Sequence, residues 1–158
     1  MLLPITRILW PTDFSEASYE ALSRAVELCK HFSAELVAVH VVPEIPRIMP
    51  DESDIEKADY AADLKSYEQE LHNAARQRLH KVIRERVPTD VKSAVIVTRG
   101  EPACEILRMA DDRRVSLIVT ATHGLSGWRQ LVFGSVAERV VRLATCPVLT
   151  IRSPRVTR

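Results

Sequence analysis

Five short apolar runs alternate along the chain with stretches whose apolar residues recur at helical spacing. Arg7 to Thr12 (RILWPT) reads as a strand ending in polar turn residues. Ser15 to Phe32 then carries Ala17, Ala21, Leu22, Ala25, Leu28, Cys29 and Phe32 at helical intervals. Glu35 to Val42 (ELVAVHVV) is a nearly continuous apolar run that stops at Pro43, the composition of a strand covered on both faces. An irregular, acidic, proline-bearing connection is expected over 44–59, and a charged helix from Tyr60 to about Arg86. Val91 to Thr98 predicts a third strand and Pro102 to Asp112 a helix with proline in its first turn. Val115 to Ala121 predicts a fourth strand, Gly134-Ser135 opens a helix (VAERVVRLA), and Pro147 to Arg152 predicts a fifth strand.

Strands alternating with helices predict an α/β fold, a doubly wound parallel sheet of five strands with helices on both faces. The chain reads as one domain over 1–158, with a tail at 153–158. In such sheets a ligand sits beyond the carboxyl ends of the strands, where the winding reverses. Three strand ends carry suggestive residues: Pro11-Thr12-Asp13, Val41-Val42, and Ala121 to Gly127. If the first and fourth strands are neighbours, Asp13 faces the glycine loop.

That loop, TATHGLSGWRQLVFGSV from Thr120 to Val136, contains the parts of a phosphate cradle. Gly124 and Gly127 permit sharp turns that expose backbone amides, and Gly134-Ser135 begins a helix whose unpaired N–H groups and dipole favour an anion. The competing reading is a glycine-rich loop that merely changes direction. Asp13 can accept ribose hydroxyls or cap the following helix; Ser15 is the better cap, which leaves Asp13 for a ligand. The backbone at Val41 can read the edge of a flat base. His123 has no second ligand or triad partner at suitable spacing and is read as touching phosphate or solvent. His31, His40, His72 and His80 are read as structural or solvated.

Charge narrows the classes further. Lys and Arg number 22 against 21 Asp and Glu, a net charge of +1, so the broad basic field of nonspecific nucleic-acid binding is missing. Cys29, Cys104 and Cys146 are odd in number and form no CxxC pair. They read as small packing residues in a reducing compartment. MLLPITRILW lacks the pattern of a signal peptide, and no apolar run has the length of a membrane span, so the expected location is cytoplasmic. GxxxxGK[ST] and a GxGxxG after the first strand are both missing, which removes the P-loop reading and weakens a dinucleotide one.

Together these residues resemble the universal stress protein family from the first strand to the last. The family's nucleotide motif, G-x-x-G, nine residues, then G-[ST], is matched by Gly124, Leu125 to Phe133, and Gly134-Ser135, with Ala121 in place of the first glycine. Trp10-Pro11-Thr12-Asp13, His40-Val41 and Cys146 to Leu149 are similar to its other signatures. The resemblance implies strand order 3-2-1-4-5 and an ATP site, with ADP or AMP as further occupants and Mg²⁺ assisting. Adenine would lie near Pro11, Asp13 and Val41, and ribose near Asp13 and Ala121, with Thr12, Thr122 and His123 adjoining. Phosphates would lie along Gly124, Leu125, Ser126 and Gly127 and along Gly134, Ser135, Val136 and Ala137. It also implies a homodimer through Pro147 to Arg152. Ala121 is tolerable if its φ is negative; a positive φ would cost about 1 kcal/mol or more. The site lacks a convincing base, so hydrolysis is expected to be slow at most. Two rival readings are an ATP-cleaving enzyme of the related α-hydrolase type, which would need an SGGxDS-like loop where TDFSEAS stands, and a nucleotide-free dimeric interaction protein.

Overall fold

The computed structural model describes residues 4–45, 56–123 and 133–152. Its elements run β1 (Arg7–Pro11), α1 (Glu16–Phe32), β2 (Glu35–Val42), α2 (Glu56–Arg86), β3 (Ser93–Arg99), α3 (Pro102–Asp112), β4 (Leu117–Ala121), α4 (Ser135–Leu143) and β5 (Val148–Ile151). The strands form one parallel sheet in the order β3-β2-β1-β4-β5. Winding therefore proceeds outward from β1 through β2 to β3 and then reverses to β4 on the other side of β1.

Strand alternation divides the core between the two faces. Ile8, Trp10, Leu36, Ala38 and Val119 pack with α1 and with Leu79 and Val82 of α2. Leu9, Val37, Val39, Val41 and Ile118 pack with α3 and with Val140 of α4. Trp10 is fully buried, and its Nε1 donates to the Ser18 carbonyl at 2.8 Å, which satisfies the one polar atom that burial would otherwise strand.

Local chemistry explains the helix starts. Ser15 caps α1, its side chain accepting from the Ser18 amide, and Glu101 caps α3 by accepting from the amides of Ala103 and Cys104, with Pro102 just inside. The turn from β3 into α3 depends on Gly100, whose φ is +145° and where a Cβ would stand 2.9 Å from Glu105 Cγ.

Two sequence expectations are corrected. Helix α2 begins at Glu56, four residues before the expected Tyr60, because Glu-Lys-Ala-Asp are acceptable helix formers once the proline-bearing stretch is passed. Cys104 is not a packing residue: it is exposed, and Arg139 Nη2 approaches its Sγ at 3.2 Å. Cys29 is buried as expected, and burial pushes its thiol up to about 11, which suppresses the reactive thiolate.

Helix α2 outruns the sheet. Glu68 meets Arg99, the last residue of β3, at 2.6 Å. Residues 56–67 thus project past the carboxyl edge by about 18 Å at the helical rise.

Candidate functional site

The registers bring the expected strand ends to one level. Pro11 lies beside Val39 and Leu9 beside Ile118. Continued to the strand ends, these pairings set Asp13 level with Val41 on one side and Thr122 on the other. This is the crevice at the reversal point, where a doubly wound sheet receives its ligand.

The turn that holds Asp13 is tightly built. The Thr12 amide donates to the Val39 carbonyl at 2.9 Å, and Thr12 Oγ1 accepts from the Phe14 amide at 2.9 Å. Thr12 Oγ1 also lies 2.8 Å from Ser18 Oγ. Pro11 and Thr12 are buried and Asp13 is half-buried. Asp13 Oδ1 accepts from the Ser15 amide at 3.0 Å, so Asp13 shares the shaping of the turn with Ser15 and is not left wholly to a ligand. Phe14 adopts φ 63°, a costly conformation for a bulky residue that persists only where its surroundings impose it.

Those surroundings include two residues the sequence did not assign to the site. His40 Nδ1 lies 2.7 Å from the Thr12 carbonyl. A carbonyl only accepts, so Nδ1 carries the proton. The His40 ring stacks obliquely on Phe14 at 4.4 Å between centroids, and the Arg78 guanidinium covers the Phe14 ring at 4.3 Å. Burial holds the His40 imidazole below its ordinary value, opposed by the Thr12 bond and the Asp13 charge and assisted by Arg78. His40 was legible as the neighbour of Val41 at a strand end; Arg78, 64 residues downstream of Phe14, had no local signal. His72, read as structural, has Nε2 3.2 Å from the Val97 carbonyl.

Across the crevice, Ala121 closes β4 and is buried, as is Thr122. Ala121 is not among the described residues with positive φ, so a methyl group costs no backbone strain there. The Thr122 amide donates to the Ile151 carbonyl at 3.0 Å, and the Gly134 amide donates to the Thr122 carbonyl at 2.6 Å. The second bond ties the start of α4 to the end of β4. His123 Nδ1 lies 2.9 Å from Thr122 Oγ1.

The start of α4 differs from the starts of α1 and α3. Gly134 occupies the cap position with φ −71° and ψ 158° and supplies no side-chain hydrogen bond. Gly134 therefore offers no side-chain cap to the first-turn amides of Ser135, Val136 and Ala137, which carry the positive end of the helix dipole close to Thr122. Gly124, Leu125, Ser126 and Gly127, with Trp128 and Arg129, lie outside the described residues. Among the described residues no three His, Cys, Asp or Glu side chains converge as metal ligands, and no helix is long and apolar enough to cross a membrane.

Comparison with known proteins agrees with this architecture. The sequence model of the Universal stress protein family matches residues 4–152. The chain belongs to this family. A universal stress protein of Methanocaldococcus jannaschii is 34% identical over 150 residues, spanning 94% of this chain and 83% of that protein. The solved structure of a second universal stress protein from the same archaeon has a TM-score of 0.82 at 25% identity, covering 97% of this chain and 99% of that one. Two more distant structures share the fold at 19% and 20% identity, with TM-scores of 0.62 and 0.57; the first is in complex with cAMP, and the second, from Archaeoglobus fulgidus, is in complex with dAMP.

Proposed function

We propose that this universal stress protein binds an adenine nucleotide, ATP in preference to ADP or AMP, in the crevice between β1 and β4. The observation that carries this reading is the start of α4, where the cap position is a glycine without a side-chain hydrogen bond. Helices α1 and α3 cap their first amides with the side chains of Ser15 and Glu101, whereas α4 has Gly134 at its cap position, with no side-chain hydrogen bond to its first turn, and is tied to Thr122. A phosphate fits this place because helix-start amides and the dipole attract it without a lysine. Asp13, level with Val41 and Thr122, suits a ribose, and the Val41 backbone suits the edge of adenine. The relatives bound to cAMP and dAMP support the choice of base.

Mg²⁺ would arrive with the phosphates and keep most of its waters, as it commonly does at nucleotide sites. Any hydrolysis is slow in this reading, since the sequence sets no carboxylate or lysine at a known catalytic spacing beside the expected phosphates. The protein acts as a cytoplasmic, nucleotide-dependent switch or protective factor in a stress response, as a homodimer through Pro147 to Arg152.

Gly134→Asp tests the site with two readouts of opposite sign. The backbone at Gly134 suits a capping aspartate, and a Cβ there would stand 3.4 Å from the Thr122 carbonyl and 3.8 Å from His123 Cα, ordinary contact distances. The new carboxylate would cap α4 and stabilise the fold by about 0.5 kcal/mol, yet occupy the amides a phosphate needs. Calorimetry should find ATP binding weakened at least about tenfold while the urea midpoint holds or rises. Unchanged ATP affinity in this variant removes α4 from the site. Absence of adenine-nucleotide binding by the wild-type chain at about millimolar ligand removes the function.

A further inference from the structure

The outward face of α2 carries a pattern that neither the core nor the crevice uses. Tyr60, Asp63, Tyr67, Glu70, Ala74, Gln77, Lys81 and Arg84 recur at alternating steps of three and four, and all eight are exposed. Positions so spaced form one continuous stripe along the helix, the geometry through which two helices can lie side by side. Tyr60 and Tyr67 are 45% and 54% exposed, and both precede Glu68, which meets the last residue of β3.

Charge along α2 is also divided. Residues 56–70 contain five acidic and two basic side chains, and residues 76–86 contain five basic and one acidic. A helix of this kind complements a second copy of itself laid antiparallel. We propose that α2 is a self-association surface on which two copies of this chain pair antiparallel about a twofold axis level with residue 72.

The seam fits such an axis position by position. Each seam residue lies as far from residue 72 as the one it would face, so Tyr60 meets the partner's Arg84, Asp63 the partner's Lys81, Tyr67 the partner's Gln77, and Glu70 the partner's Ala74. The twofold repeats every layer. Tyr60 and Arg84 form a cation–π contact and Asp63 and Lys81 an ion pair, while Ala74 near the axis lets the backbones approach. Lys81 is open to this role: among the described residues its ion pair is with Glu85 at the loose distance of 3.9 Å, and its side chain is 66% exposed. A parallel pair would instead set acid against acid and base against base.

Helix α2 packs on β2 and β3, at the opposite side of the sheet from β5. Pairing through α2 is therefore independent of any pairing through β5, and the two are tested apart in a Leu149→Lys background, where the β5 edge is charged. Sedimentation equilibrium of that full chain up to about millimolar concentration should show a monomer–dimer equilibrium that weakens with salt. Asp63→Lys and Lys81→Asp should each weaken it about tenfold, two exposed attractions having become repulsions, and the double swap should restore it to within about threefold. Circular dichroism confirms that α2 stays helical. A purely monomeric parent overturns the proposal, as does a double swap no stronger than the single variants.

Discussion

At the scale of residues, the crevice is governed by a few side chains that fix the backbone. His40 holds the Thr12 carbonyl, and Phe14 is clasped between His40 and Arg78. The His40 imidazole is held below its ordinary 6.5, chiefly by burial. Well above 6.5 neither the folded nor the unfolded chain protonates it, so it has no effect on stability there. As pH falls from 6.5 toward the folded value, the unfolded chain takes up a proton that the folded chain refuses, and stability drops. Glu101 and Glu105, both lowered from 4.5 by hydrogen-bonded partners, lose their contribution only at more acid pH. His40→Asn keeps a donor toward Thr12 and cannot titrate. Urea midpoints between about pH 7 and about pH 5 should slope less in this variant than in the wild type; parallel slopes would assign the titration to another group. Ser15, Pro102 and Gly134 were legible as helix-start residues because capping is local chemistry, whereas the Phe14–Arg78 contact joins residues that no local pattern connects.

At the scale of elements, α1 and α3 matched their sequence patterns within a residue because cap, apolar face and stop coincide. Helix α2 starts four residues before its pattern, since Glu56, Lys57, Ala58 and Asp59 carry no apolar period to announce it. The last strand is one of the two edges of the sheet: β5 ends it opposite β3, Leu149 is 39% exposed, and Val141 and Leu143 of α4 are exposed. An apolar edge strand invites pairing with another chain, and a twofold partner would close it. Leu149→Lys should convert a β5-paired dimer to the state set by α2 alone, while Leu149→Pro removes a ladder donor at the same place. Light scattering at tens of micromolar, with circular dichroism to verify the sheet, checks this. A folded Leu149→Lys chain with wild-type mass would place pairing elsewhere.

At the scale of the whole molecule, a ligand that bridges β1, β4 and α4 joins both sides of the reversal point and binds only the folded chain. Folding and binding are then linked: ATP at about a hundred times its dissociation constant should add about 2.7 kcal/mol. For a chain of this size that is about 5–10 °C in melting temperature, measured by differential scanning fluorimetry, with cytidine triphosphate giving a smaller shift. Equal shifts from both nucleotides would sink the adenine reading and leave a phosphate site. The sequence by itself determined the kinds of element, their order, the parallel sheet and the family, because these follow from local periodicity, capping chemistry and short motifs. The tertiary structure alone decided that Gly134 hydrogen-bonds the Thr122 carbonyl, that Asp13 shares in its own turn, that Arg78 covers Phe14, and that α2 meets the end of β3 at Glu68 with twelve residues still before it. Each of these depends on distances between segments far apart in the chain, which are set by packing and register rather than by the residues on either side.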